Sequence, residues 1–289
     1  MLNTYVVEGG LGKVIAFTAV VDALAKRDGQ PIQVYTPYYE CFSNNPNVRL
    51  VLDQGTIPIT DSRIQESERI WYFEPYKSTF TKGKQHLIES FCELLNIKYN
   101  AATMLPKLFT DHRKREAQTV LEEAGVTGKY ALVQFTGGQT PIGFQADRQY
   151  QSIDANRNYP HYLAQEVVYR LKKAHPDLTI INFSLPNEPH YDGAIRLNAS
   201  SMAWHEILKG ADGFVSIDSC LNHFSPSAKK AGIVLWSNTR WVQFGYEQNI
   251  NMNFHMSGKW DETKFRPNDP RNIMVDPAKV VEMYGRLKR

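Results

Sequence analysis

The sequence predicts an α/β chain built as two doubly wound domains that face each other across a central cleft. Three observations predict it. The length, 289 residues, exceeds the roughly 100–150 residues that a single core favours and is comfortable for two. Short apolar runs alternate with segments of helical spacing, as parallel βαβ units require. That alternation begins afresh after Gly128, so the expected domains are 1–128 and 129–275. A closing helix in 276–289 is expected to pack back toward the first domain.

In chain order, Leu2–Val7 reads as a buried strand, Gly9-Gly10-Leu11-Gly12 as a turn and Val14–Lys26 as a helix. Ile32–Tyr35 and Val48–Leu52 follow as strands, with Pro37 and the run Asn44-Asn45-Pro46-Asn47 as punctuation. Between about Thr56 and Pro106 only His86–Leu95 has clear helical spacing. Asp111–Ala124 is a helix with Asp111 at its start and Gly125 at its end. In the second half the strands are Tyr130–Phe135, Leu178–Phe183, Gly213–Ile217 and Ile233–Trp236. The helices are Tyr159–Ala174, Ser201–Lys209, one near Asn222–Lys230, and Pro277–Lys288, which Asp276 and Pro277 open.

Composition narrows the class. Hydrophobic residues at 42% and charged residues at 22% are those of a folded globular chain. A formal charge of +3 is too small for nucleic-acid binding by bulk electrostatics, although a local basic groove stays open. Cys41, Cys92 and Cys220 are scattered and form no Cys-x-x-Cys pair, so neither a disulfide framework nor a zinc ribbon is expected. A reducing cytoplasm fits best. No apolar stretch reaches membrane-spanning length, which leaves a protein working in solution or at a surface.

Four segments carry candidate chemistry. Glu8-Gly9-Gly10-Leu11-Gly12-Lys13 sits between a strand and a helix, where Gly10 and Gly12 let a ligand approach backbone N–H groups. It is not a Walker loop, because Val14 follows the lysine where Ser or Thr is needed. Thr136-Gly137-Gly138 repeats the arrangement after the strand that opens the second half. Glu188 lies just past a strand end, where a carboxylate can accept from a ribose diol. The most specific segment runs from Gly210 to His223: an apolar strand delivers Asp218-Ser219 to its end, and a helix starts at once, offering free N–H groups to an anion. A glycine turn, a solvated glutamate and a capped helix with a core histidine are the corresponding structural readings.

This last segment resembles the ADP-heptose transferases of glycosyltransferase family 9. In that family a strand ends in Asp-Ser/Thr-Gly, a histidine follows after two residues, and a small-residue helix leads to a strand ending in Gly-Pro-Thr. Here Asp218-Ser219-Cys220-Leu221-Asn222-His223 is followed by Ser227-Ala228-Lys229-Lys230-Ala231-Gly232 and then Trp236-Ser237-Asn238-Thr239. Arg157-Asn158-Tyr159-Pro160 is similar to the family's Lys-x-Trp-Pro, which supplies a cation to the diphosphate. The resemblance implies the GT-B fold of two facing Rossmann-like domains. It further implies an inverting, metal-independent transferase that needs no cofactor and moves a heptose-like sugar from a nucleotide-diphosphate donor, ADP-linked by preference. Thr136, Gly137, Gly138, Glu188, Asp218, Ser219 and His223 would bind that donor, with Gly10 and Gly12 in the first loop.

Three departures accompany it. Lys13 stands where the family's first loop has an aspartate, the base for the acceptor hydroxyl. Cys220 replaces a glycine beside the phosphates, and Gln139–Asn156 is an insertion. Arg157 is expected to stabilise the leaving group and Glu8 to take the acceptor's proton, with Asp61 or Asp111 as substitutes. Lys13 would meet donor phosphates or an anionic acceptor. The expected acceptor is a glycan, a lipid-linked sugar or a protein, reached in the cytoplasm or at the inner membrane surface. Two alternatives remain open at this point. One is a DNA-modifying transferase acting on a hydroxymethylated base, favoured by Lys13 and the basic run His112-Arg113-Lys114-Arg115. The other is a nucleotide-sugar-binding protein without catalysis.

Overall fold

A computed structural model describes residues 2–77, 80, 83, 85–137, 158–184, 188–237, 239–253 and 275–287. The chain divides into two compact units, the first ending at Asp111 and the second starting at His112.

In the first unit β1 (Asn3–Val6), β2 (Ile32–Thr36), β3 (Val48–Asp53) and β4 (Arg69–Tyr72) form a parallel sheet in the order β3-β2-β1-β4. The helices are α1 (Leu11–Phe17), α2 (Val21–Asp28), the single-turn α3 (Ser62–Gln65) and α4 (Leu87–Leu94). The expected helix 14–26 is thus a longer helical run broken by a 3₁₀ turn at Thr18–Val20. Thr18 causes that break: its hydroxyl donates to the Ile15 carbonyl at 2.6 Å and accepts the Lys107 amide at 3.0 Å. Gly29 ends α2 in the left-handed region, at φ 67°.

One face of this sheet packs through aromatic rings. Tyr5 meets Phe17 at 6.3 Å and stacks on Trp71 at 6.0 Å, while Phe91 of α4 meets Phe17 edge-on at 5.5 Å. The opposite face buries Val6, Tyr35, Leu52 and Ile64. Sequence reading left β4 unassigned. It holds because Trp71 lies between the sheet and the guanidinium groups of Arg27 and Arg69, 4.7 and 3.8 Å from its ring.

The second unit contains α5 (Lys114–Glu123), β5 (Tyr130–Gln134), α6 (His161–Ala174), β6 (Thr179–Asn182), β7 (Ala194–Arg196) and α7 (Ser201–Gly210). It continues with β8 (Gly213–Ile217), α8 (Cys220–Ala228), β9 (Gly232–Trp236), α9 (Trp241–Phe244), β10 (Ile250–Asn253) and α10 (Pro277–Gly285). All six strands are parallel, in the order β10-β9-β8-β5-β6-β7. Strands β5, β8 and β9 are buried along their whole length, as central parallel strands must be. The edge strands β7 and β10 are short and partly exposed.

One boundary differs from the sequence reading. The division falls at Asp111 and not at 128, because α5 packs on α7 and the Glu116 carboxylate accepts the Ser200 amide at 2.9 Å at the start of α7. Within the second unit the C-terminal helix packs on α6 and β9. It buries Val280 and Tyr284 among Val167, Val168, Val215 and Ile233. Gly213 allows this approach, since a Cβ there would lie 3.0 Å from Leu287 and 3.3 Å from the Tyr284 ring. Asp276 caps α10 by accepting the Ala278 amide at 2.8 Å, as read from the sequence.

Candidate nucleotide site

Strand order locates the site. Numbered within the second unit, the six strands run 3-2-1-4-5-6, the order of dinucleotide-binding sheets, whose ligands sit beyond the carboxyl ends where the order reverses. Here the reversal lies between β5 and β8. Thr136-Gly137 follows β5, and Asp218-Ser219 follows β8.

The two loops touch. A Cβ at Gly137 would come within 2.8 Å of the Ser219 hydroxyl and 3.3 Å of its Cβ, so only glycine fits that approach. Asn158 fixes the loop, its side-chain oxygen accepting the Gly137 amide at 3.1 Å. Ser219 is the N-cap of α8 in an extended conformation, yet its hydroxyl caps no amide of the helix. The first turn of α8 carries no acidic residue. The positive end of its dipole is therefore not matched by an acidic side chain of its own first turn. Gln134, at the end of β5, orients this turn by accepting the Leu221 amide at 3.4 Å.

Around this centre Thr136, Asp218 and Glu188 are all buried, at 7%, 3% and 7% exposure. Burial, opposed by hydrogen bonds with Gln134 and Ser219 and aided by the nearby Glu188 carboxylate, pushes the Cys220 thiol up to about 11. Cys220 is thus an uncharged neighbour at neutral pH, and Glu188 lies within electrostatic reach of the α8 N-terminus. Burial and, secondarily, Glu188 raise the Tyr191 phenol in the same way.

His223 is the fourth residue of α8. It is 4% exposed, and its Nδ1 pairs with the Tyr246 hydroxyl at 3.0 Å. Beside it, Asn222 donates to the Phe244 carbonyl at 2.9 Å and accepts from Asn249 at 3.3 Å. The first turn of α8 is thereby tied to the segment 244–249. Gly138, Arg157 and the insertion Gln139–Asn156 lie outside the described residues, as does most of the stretch between β6 and Glu188.

The first unit repeats the topology on a smaller scale, with its order reversing between β1 and β4. Gly9, at φ 104°, is the glycine this turn requires. Gly10 is the N-cap of α1 with open space where a Cβ would be, and Gly12 is the second residue of that helix. Lys13 does not reach into solvent. Its side chain is 4% exposed, and its ammonium pairs with Glu74 at 2.9 Å and lies 5.2 Å from the Tyr76 ring centre. Glu8 is exposed, and among the described residues no ion pair joins it to Lys13. Its charge, after burial and Tyr72, contributes to raising the Tyr35 phenol. Asp61 caps α3 and is held down to about 2 by its Arg63 partner, which makes it a poor base.

Glu74 was missed in the sequence because β4 was missed. The signal was present: Arg-Ile-Trp-Tyr-Phe is rich in strand formers and ends at Glu-Pro. Among the described residues no group of three or more His, Cys, Asp or Glu side chains gathers as a metal site.

No protein-family model and no curated protein sequence matches the chain. Solved structures do match. A family 9 glycosyltransferase from Veillonella parvula superposes with a TM-score of 0.68 at 10% identity, covering 99% of this chain and 96% of that one. The fold is that of the family 9 glycosyltransferases. Escherichia coli heptosyltransferase WaaC, solved with ADP, gives a TM-score of 0.61 at 14% identity, with all of both chains covered. The E. coli ADP-heptose lipopolysaccharide heptosyltransferase II gives 0.66 at 10%, covering 99% and 98%. The likeness covers both units, so the GT-B architecture expected from the sequence is the observed one.

Proposed function

We propose that the protein is an inverting, metal-independent glycosyltransferase that takes a sugar, heptose-like or related, from a nucleotide-diphosphate donor. The observation that carries this reading is the convergence of the Thr136-Gly137 loop and the uncapped α8 N-terminus at the strand-order reversal of the second sheet. Such a place suits a diphosphate: backbone amides and a helix dipole meet its charge, and a buried carboxylate nearby, Glu188, can accept from a ribose. An ADP-linked donor is favoured because WaaC holds ADP and the second E. coli enzyme is named for ADP-heptose.

The acceptor hydroxyl attacks the anomeric carbon opposite the diphosphate, whose oxygen gathers negative charge as the bond breaks. Preorganised donors at that oxygen are the main source of acceleration, and losing one costs about 2.7–4 kcal/mol in comparable sites. We assign this role to the positive end of the α8 dipole, starting at the Cys220 amide, with the Gly137 loop, fixed by Asn158, as a wall of the site and Arg157 as the cation. The acceptor in this reading is a carbohydrate hydroxyl and not DNA. In the basic run, Arg113 is paired with Glu116 at 3.0 Å. Within the described residues no helix is long and apolar enough to cross a membrane.

Thermal unfolding in a panel of nucleotide sugars tests the reading. Donor at 100 times its dissociation constant adds roughly 2.7 kcal/mol, a rise of about 5–10 °C for a unit of this size. An ADP-linked sugar should give the largest shift. No shift with any nucleotide sugar or nucleoside diphosphate would end the reading.

A further inference from the structure

We propose that Arg196 is a positioning residue for ribose recognition: it holds Glu188 so that the Glu188 carboxyl oxygens accept from the hydroxyls of the nucleotide. The inference rests on the glycosyltransferase reading and deepens its donor site, within the second unit alone.

Glu188 belongs to an irregular segment between β6 and β7, which has to satisfy its backbone carbonyls without a helix or sheet ladder. Side chains from the two strands do this. Asn182 and Arg196 end β6 and β7 and are register partners. Arg196 Nη2 donates to the Glu188 carbonyl at 2.5 Å, and Asn182 Nδ2 donates to the next carbonyl, that of Pro189, at 2.9 Å. Through Nε, Arg196 also donates to the Ser184 hydroxyl at 3.1 Å, so one planar guanidinium bridges Ser184 and Glu188. Pro189 biases Glu188 toward extended backbone. With its carbonyl held by Arg196, the direction of the Glu188 side chain is set.

Two further contacts seat the segment beside the nucleotide loops. Gln165 of α6 donates to the Asp192 carbonyl at 3.0 Å and accepts the Asp192 amide at 2.8 Å. Tyr191 packs edge-on at 5.4 Å against Phe135, the residue before Thr136. Glu188 is 7% exposed, so its side chain has little room to compensate for a displaced backbone. A site built to bond a substrate hydroxyl discriminates against the analogue that lacks it. Arg196 should therefore govern how strongly the site prefers a ribose over a sugar without the diol.

The test titrates the full chain calorimetrically with ADP and with 2′,3′-dideoxy-ADP, which lacks both ribose hydroxyls. The wild type should prefer ADP by about tenfold or more. Arg196→Met should weaken ADP about tenfold and dideoxy-ADP less than about threefold, a split that a merely structural residue would not give. In the Glu188→Ala background the same substitution should change ADP affinity less than about threefold, since Arg196 acts through Glu188. If Arg196→Met fails to fold, Arg196→Lys keeps the charge, loses the two-pronged grip and should lower the preference for ADP at least about threefold. Equal losses for the two nucleotides in a folded variant overturn the proposal. So do an unchanged preference for ADP and a full effect of Arg196→Met in the Glu188→Ala background. A wild type that binds both nucleotides equally also overturns it and leaves the diphosphate site standing. A wild type that binds neither defeats the underlying reading instead, and is seen before any variant is made.

Discussion

Alanine at position 137 would place a methyl carbon 2.8 Å from the Ser219 hydroxyl, 3.3 Å from its Cβ and 3.5 Å from Ile217 Cδ1. Neither neighbour yields easily, since Ser219 starts α8 and Ile217 is fully buried. Overpacking of this kind costs about 1–3 kcal/mol. If the loop moves away to relieve it, the diphosphate loses a wall of its site. With tenfold for each 1.4 kcal/mol, affinity for ADP should fall roughly 5- to 150-fold. Ser219→Ala removes the shortest contact and leaves the others at 3.3 and 3.5 Å. Gly137→Ala/Ser219→Ala should therefore bind better than the sum of the single effects allows, with a compensating coupling of about 0.5–3 kcal/mol. Calorimetric titration of the four proteins with ADP measures it. Unchanged binding in Gly137→Ala, or strict additivity in the double variant, would refute the claim that these two loops build one pocket.

Removing the Asn158 side chain by alanine takes away the acceptor for the Gly137 amide; the same titration should show a loss of roughly 2- to 12-fold, equivalent to about 0.5–1.5 kcal/mol. Gly232→Ala tests the β8/β9 register, because the new Cβ would lie 2.3 Å from the Phe214 ring. It should lower the melting temperature by about 2–12 °C, from roughly 1–3 kcal/mol of overpacking. Burial raises the Glu116 carboxyl, but the Ser200 and Arg113 contacts outweigh it and leave the group below its ordinary 4.5. Its contribution to stability is thus complete above pH 4.5 and lost as pH falls through the lower folded value. Melting curves between pH 3 and pH 7 should show a smaller acid-side decline for Glu116→Gln than for the wild type.

What the sequence revealed follows from how strongly each element is patterned. The strands 130–134, 213–217 and 232–236 are continuous apolar runs because both faces of the sheet are covered. They were read to within a residue or two, and with them the loops that carry Thr136, Gly137, Asp218 and Ser219. The edge strands β4, β7 and β10 are three or four residues long and only partly buried. Their pairing comes from the tertiary structure: in β4 it depends on Trp71 stacking against Tyr5, an interaction no local window contains.

The same cause hid Glu74. Lys13 was visible as a cation after a glycine turn, but its partner lies 61 residues away on a strand that was not recognised. His223 shows the reverse case. Its spacing from Asp218 was legible, but the Tyr246 hydroxyl on its Nδ1 depends on how the segment after α9 folds back.

A nucleotide should settle where the Thr136-Gly137 loop meets the start of α8. Amide hydrogen exchange, followed peptide by peptide with and without a saturating ADP-linked sugar, locates that contact directly. Exchange should slow in the peptides spanning 134–137 and 218–224. Protection confined to other segments, with those two unchanged while the sugar nucleotide is bound, would contradict the account.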